Sequence, residues 1–227
     1  MFAIVAAAGS ALRLNKIKKQ FLKINGRFVL EICVEKFVLA GVLKIVVATK
    51  KEDVEFAKKI LARFKKYIVF VEGADTRQKT VKKAFLAEYL NHEKTDLVLI
   101  HDAARPFFEV EKLKFLIKVA KIKKAACFCC RIVDTVKKLK NSEIEKTLNR
   151  DELVLAQTPQ AFEIDLYKKA LELNQKQKKY VTDDCQLIER LNHKIAPIFC
   201  EKTNFKITTM EDLTYLEFLT QHKKEIF

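Results

Sequence analysis

Five apolar runs, at residues 2–8, 45–48, 68–71, 97–100 and 125–133, alternate with stretches of helical period at 28–39, 52–64, 76–90 and 110–122. Runs that are apolar at nearly every position suit strands covered on both faces, and the intervening amphipathic helices are the cover. The pattern predicts an α/β fold of Rossmann-like, three-layer build around a mainly parallel sheet. Ligands of such sheets bind beyond the carboxyl ends of the strands, where Gly9, Gly73 and Asp102 fall. The chain has only four glycines, Gly9, Gly26, Gly41 and Gly73. Average usage is roughly 7%, so each one here is expected to mark a turn.

After Val133 the rhythm changes. Residues 134–140 alternate as a strand and 144–148 answer them across Asn141 and Ser142, which predicts a protruding hairpin arm over approximately 134–150 and a return to the body at Leu153. Helices are expected at 164–173, 182–191 and 210–219, with a strand at 194–199. A chain of 227 residues, 49% hydrophobic and 32% charged, reads as one folded domain over 1–227. No run reaches the roughly 20 apolar residues that span a bilayer, and no positive residue precedes the first apolar run as in a secretory signal. A cytoplasmic protein is the expectation.

Lysine and arginine outnumber aspartate and glutamate by 44 to 29, a net charge of +15. Such charge attracts polyanions. The lysines, however, are spread along the whole chain beside glutamates, and no signature of a nucleic-acid module occurs, which favours a solvated surface over a nucleic-acid partner. Cys127, Cys129 and Cys130 are bunched in one apolar run. Neighbours on a strand face opposite ways and no second Cys/His pair has zinc spacing, so buried free thiols are expected here and no metal held by protein ligands.

The first apolar run ends in Ala6-Ala7-Ala8-Gly9, with Arg13, Lys18 and Lys19 close behind. Small side chains let a ligand approach the backbone, a glycine able to take positive φ lets successive N–H groups face phosphate oxygens, and Arg13 and Lys19 supply full charges. Residues 9–14 carry neither the dinucleotide fingerprint nor a P-loop. A phosphorylated ligand other than NAD is suggested, with an ordinary turn and solvated lysines as the plain alternative. The fourth run ends in His101-Asp102-Ala103-Ala104-Arg105-Pro106. Asp102 suits sugar hydroxyls or a metal, and Arg105 suits a phosphate or a pinned loop; an Asp–Arg pair closing a turn is the plain alternative.

Seven motifs occur in one order: the Ala-Ala-Gly loop with Arg13 and Lys19-Gln20, then Gly73-Ala74-Asp75-Thr76-Arg77, the His101 to Pro106 segment, Asp134-Thr135, Thr158-Pro159-Gln160, Thr182-Asp183-Asp184 and Asn204-Phe205-Lys206. Over nearly its whole length the chain thereby resembles the 2-C-methyl-D-erythritol 4-phosphate cytidylyltransferase family of the non-mevalonate isoprenoid pathway. The resemblance implies a nucleotidyltransferase fold and transfer of a cytidylyl group from CTP to 2-C-methyl-D-erythritol 4-phosphate, with release of pyrophosphate. It also implies a homodimer, and Mg²⁺ carried mainly on the CTP phosphates. By motif matching, Arg13 and Lys19 fall on transition-state-stabilising positions. Ala7, Ala8, Gly9, Ala74, Asp75 and Thr80 fall on positions that hold cytosine, ribose or phosphates, and Asp102 falls near the ribose and acceptor. Arg150 and Lys206 match the pair that positions the acceptor phosphate, Arg105 and Thr135 match acceptor-side positions, and Thr158 and Thr182 join the substrate-binding set. In such a dimer the arm crosses to the other subunit, so Thr135 and Arg150 complete the partner's site.

Three positions depart from the family pattern: Ala11 and Ala74, where second glycines are usual, and Lys18, where a proline precedes the catalytic lysine. Lys19, which precedes Gln20, is read as that lysine. The alternatives are a sister cytidylyltransferase acting on ribitol 5-phosphate, a basic nucleic-acid-binding protein, and a homologue that binds nucleotide without turnover. The 158–160 and 204–206 segments favour methylerythritol phosphate as acceptor, and the four cations Arg13, Lys19, Arg150 and Lys206 argue for turnover.

Overall fold

The computed structural model describes residues 1–9, 18–93, 96–177 and 179–222. The expected strand–helix alternation forms β1 (Phe2–Ala6), the short β2 (Lys23–Ile24) and β3 (Arg27–Phe28), α1 (Val29–Leu39), β4 (Ile45–Thr49), α2 (Val54–Ile60), β5 (Ile68–Glu72), α3 (Arg77–Glu88), β6 (Leu97–Asp102), α4 (Val110–Lys123) and β7 (Ala125–Arg131). The arm is β8 (Lys137–Lys140) and β9 (Glu143–Thr147), and the chain closes with β10 (Val154–Glu163), α5 (Ile164–Gln177), α6 (Cys185–Glu189), β11 (Ala196–Phe199) and α7 (Met210–His222). Among the described residues seven strands make one sheet, in the order β11-β7-β10-β6-β1-β4-β5. All neighbours are parallel except β10, which runs antiparallel to both β6 and β7.

The two faces of β1 show why every position of that run is apolar. Ala3 and Val5 pack with Leu30 and Phe37 of α1 and Leu113 and Leu116 of α4. Phe2 and Ile4 point the other way, into Val81 and Phe85 of α3 and Tyr167 of α5. Complete burial of a side chain such as Phe37 or Phe85 stabilises the fold by roughly 1.5–3 kcal/mol, so both helical layers are held firmly on the sheet.

Two features escape the sequence pattern. Val154–Glu163 contains Pro159 and four polar or charged residues, which argues against a central strand. It is one nonetheless, because its ladder to β7 breaks between Ala156 and Gln160, leaving the proline where no pairing is required. Being antiparallel, it needs no crossover helix to announce it. The β2–β3 ribbon turns on Asn25 and Gly26, with φ of 49° and 78°, an Asn-Gly hairpin signal. The 52–64 stretch also proves shorter as an α-helix than its pattern suggests, α2 being flanked by 3-10 turns at Lys51–Asp53 and Ala62–Tyr67.

The arm turns at the expected place, on Asn141 and Ser142 with φ of 52° and 67°. Both of its strands are exposed throughout, including Leu139 and Ile144. All six cysteines are free; five are buried and Cys200 is half-buried.

Candidate active site

A cavity of about 330 Å³ opens beyond the carboxyl ends of β1 and β6. It sits where the strands following β1 in sequence diverge to its two sides, the crevice in which sheets of this type bind ligands. Of the residues selected from sequence, Ala7, Ala8, Gly9, Lys19, Ala74, Asp75, Thr80, Asp102 and Lys206 line it. Arg105, Thr135, Arg150, Thr158 and Thr182 are not in its wall. Arg13, as well as Ala11, lies outside the described residues.

The wall near β1 is made by two loops pressed together. Ala7 N–H donates to the Ala48 carbonyl at 2.7 Å and Gly73 N–H to the Thr49 carbonyl at 2.7 Å, extending the ladders past the strand ends. The Thr80 hydroxyl accepts from Ala74 N–H at 2.9 Å and fixes the turn after β5, while Asp75 pairs with Lys79 at 2.8 Å. A Cβ at Gly73 would lie 2.2 Å from the Ala8 Cβ, so this glycine is required for close approach and not for backbone conformation. Gly9 corrects the expectation of positive φ: the glycines in the left-handed region are Gly26 and Gly41. Gly73→Ala is expected to push the loops apart and lower kcat/KM for the nucleotide at least about tenfold. Adding Ala8→Gly, which removes the opposing atom, restores part of the loss; steady-state kinetics on the single and double variants check this.

The opposite wall is built around one carboxylate. Asp102 accepts from Arg77 Nε at 2.6 Å and from Lys206 Nζ at 2.6 Å, so each oxygen holds a cation. Burial alone would raise the Asp102 carboxyl, but the Arg77 and Lys206 charges prevail and hold it well below the usual carboxylate range. Arg77 Nη1 also donates to the buried Asp184 at 2.7 Å, and Asp184 is in turn fixed by the Tyr167 hydroxyl at 2.6 Å. No group of three or more His, Cys, Asp or Glu side chains suited to a metal occurs among the described residues.

Behind this carboxylate His101 is fully buried, with Nε2 3.1 Å from the Arg105 carbonyl and Nδ1 3.2 Å from the Thr158 hydroxyl. A carbonyl only accepts, so Nε2 carries the proton and Thr158 donates to Nδ1; the Thr158 oxygen accepts from Asp102 N–H at 3.0 Å. Burial pushes the His101 imidazole down to about 3, which keeps it neutral and gives it a supporting place rather than an acid–base one. Thr158 likewise shapes the end of β6. Arg105 pins a loop, donating to the Asn204 carbonyl at 2.9 Å. Together with the Asn204 side chain on Thr158 O and the Ile207 N–H on Ala104 O, it clamps 204–207 across β6. That clamp, with Ile207 buried and Phe205 stacked on Phe107, aims Lys206 at Asp102. Thr182 lies apart, its N–H on the Gln186 side chain at 3.0 Å.

Lys18 and Lys19 part company. Lys18 pairs with Asp53, while Lys19 lines the cavity with its ammonium 3.3 Å from the Thr208 carbonyl. At the base of the hairpin the Arg150 guanidinium donates to the Val133 carbonyl, and Thr135 is exposed.

Arg77 is a cavity residue that carried no sequence-derived role. The signal was available, since a cation at the first position of a helix opposes the macrodipole unless carboxylates offset it. Thr76 caps that helix through Lys79 N–H, and Asp102 and Asp184 supply the charge.

Backbone donors at the end of β1, a small-residue turn after β5 and cations gathered on one carboxylate, all at a sheet switch point, define an α/β nucleotidyltransferase fold. The family model of 2-C-methyl-D-erythritol 4-phosphate cytidylyltransferase matches residues 1–222, and the chain belongs to that family. A protein of that name from Clostridioides difficile is 35% identical over 225 residues, covering 97% of this chain and 94% of the relative. The crystal structure of a 4-diphosphocytidyl-2C-methyl-D-erythritol synthase from Anaerococcus prevotii superposes with a TM-score of 0.85 at 32% identity, over 97% of this chain and 95% of that one. The Francisella tularensis 2-C-methyl-D-erythritol 4-phosphate cytidylyltransferase gives 0.80 at 30% identity, over 96% and 98%.

Proposed function

We infer that this protein transfers the cytidylyl group of CTP to 2-C-methyl-D-erythritol 4-phosphate, giving 4-diphosphocytidyl-2-C-methyl-D-erythritol and pyrophosphate for isoprenoid precursor synthesis. The observation that carries this reading is the cavity at the β1 switch point, where Lys19 and Lys206 converge in a chain matched to the family along 1–222. A phosphate monoester carries about −1.5 to −2 charges near neutral pH, so the acceptor oxygen attacks the α-phosphorus without a general base. The task is to bring two anions into line and to stabilise charge on the α-phosphate and the departing pyrophosphate. Lys19, with Arg13, serves the triphosphate; Lys206, oriented by Asp102, serves the acceptor phosphate. The 7–9 backbone and the 73–75 turn hold the nucleotide, with Thr80 fixing that turn. Arg105 and Thr158 act by shaping these walls and not by touching ligand in this chain's own cavity, while Thr182 stands outside it. Both Asp102 oxygens are engaged by cations, so a Mg²⁺ ion would be held mainly by the CTP phosphates and would supply neutralisation of their charge.

The enzyme is a homodimer whose arm, 134–150, reaches the partner. Supporting this, Val133, Leu139, Ile144, Val154 and Leu155 are exposed along the arm and its base, and an isolated two-stranded excursion is marginal in water. Among the described residues no helix is long and apolar enough to cross a membrane, in keeping with a cytoplasmic enzyme. Pyrophosphate release with CTP against a panel of polyol phosphates tests the reading. Methylerythritol phosphate is expected to be preferred over ribitol 5-phosphate, and CTP over ATP, GTP and UTP, since a wrong base leaves buried hydrogen-bonding groups unpaired. Comparable kcat/KM for ATP and CTP, or tight salt-dependent binding of nucleic acid with no turnover, would defeat it.

A further inference from the structure

We propose that Asp53 is a positioning residue that selects which of two adjacent lysines enters the cavity. The inference rests on the reading of Lys19 as the triphosphate cation. Asp53 closes the turn before α2, the place where an aspartate ordinarily caps the helix, yet its side chain makes no cap hydrogen bond. Its carboxylate, 5% exposed, pairs with Lys18 instead. Its second oxygen, Oδ2, is buried without a partner among the described residues. A buried carboxylate in that state is costly unless a cation stays with it, so Asp53 is committed to Lys18.

The consequence for Lys19 follows from local geometry. Lys19–Phe21 is a 3-10 turn, closed by Phe21 N–H on the Lys18 carbonyl at 2.9 Å and Leu22 N–H on the Lys19 carbonyl at 3.2 Å. Lys18 precedes the turn in extended backbone, with φ of −76° and ψ of 95°, and Lys19 is the first residue of the turn, so the two side chains leave the chain in different directions. With Lys18 drawn to Asp53, Lys19 is directed away from it, toward the Thr208 carbonyl and the cavity. Phe21 adds a second anchor, packing edge-on against Phe56 of α2 with ring centroids 4.9 Å apart. The first turn of α2 is therefore the platform that sets the register of this segment. Without Asp53, two neighbouring ammonium groups of equal reach compete for one anionic ligand, and the turn loses one of its two attachments.

The test is a double-mutant cycle between Asp53→Asn and Lys19→Ala, read as single-turnover rates with CTP and acceptor, with thermal unfolding measured on every protein. Asp53→Asn is expected to lower kcat about tenfold with little change in the KM of the acceptor, the scale of a misplaced catalytic group. On the Lys19→Ala background the same substitution adds no further loss, because it acts through Lys19. Lys18→Met added to the Asp53→Asn protein removes the competing ammonium and restores most of the lost rate, while Lys18→Arg, which keeps a cation on Asp53, holds the wild-type rate. A wild-type rate for Asp53→Asn, or an equal loss in both backgrounds, overturns the proposal in favour of a merely structural pair. Should Lys19→Ala itself retain full activity, it is the underlying reading of Lys19 that falls; a crippled Lys19→Ala beside an unaffected Asp53→Asn removes this inference alone.

Discussion

Replacing Lys19 by alanine is expected to lower kcat at least about a hundredfold, the loss seen when a charge aimed at a transition state is removed. The neighbouring Lys18→Ala should cost no more than about tenfold. Geometry separates the two: Lys19 lines the cavity, whereas Lys18 is paired with a buried carboxylate on the turn before α2. The loss in Lys19→Ala should fall on kcat more than on the KM of the acceptor, whose phosphate is assigned to Lys206. Initial-rate measurements with both substrates varied check both statements. A crippled Lys18→Ala beside a healthy Lys19→Ala would reverse the assignment.

The second large effect concerns the arm. Arg150 and Thr135 do not line the cavity of their own chain, and the hairpin between them is exposed on both strands. If each site takes its arm residues from the partner, Lys19→Ala and Arg150→Ala proteins, each nearly inactive alone, recover activity when subunits exchange. The mixed dimer has one site with both residues intact and one lacking both. With random exchange about half the dimers are mixed, so recovery approaches about a quarter of the wild-type turnover per subunit for independent sites. Absence of recovery, with exchange verified by a tagged subunit, would mean that Arg150 serves its own chain or none.

Much of the architecture was legible because its cause is local. Apolar runs separated by amphipathic stretches dictate strands covered by helices, and β1, β4, β5, β6 and β7 lie where those runs are. Asn141-Ser142 turns the arm as its alternating flanks require. The motifs likewise pointed to Lys19, Asp102, Lys206 and the 7–9 and 74–75 backbone, all of which meet in one cavity. Val154–Glu163 was not legible as a strand, since a proline and polar side chains disguise a segment whose pairing is interrupted by a bulge.

What the sequence by itself determined is the repeating β-α order, the chemistry available at the strand ends and the family to which these motifs belong. Only the tertiary structure decided which charges face the ligand and which hold the walls. Arg77 joins Asp102 and Asp184, 25 and 107 residues further along the chain, Arg105 turns from the cavity to pin Asn204, and Lys18 is taken by Asp53 while Lys19 is not. The physical reason is that patterning follows from the period of a single element, whereas the direction of a charged side chain depends on which distant carboxylate or carbonyl the packed elements bring within about 3 Å of it.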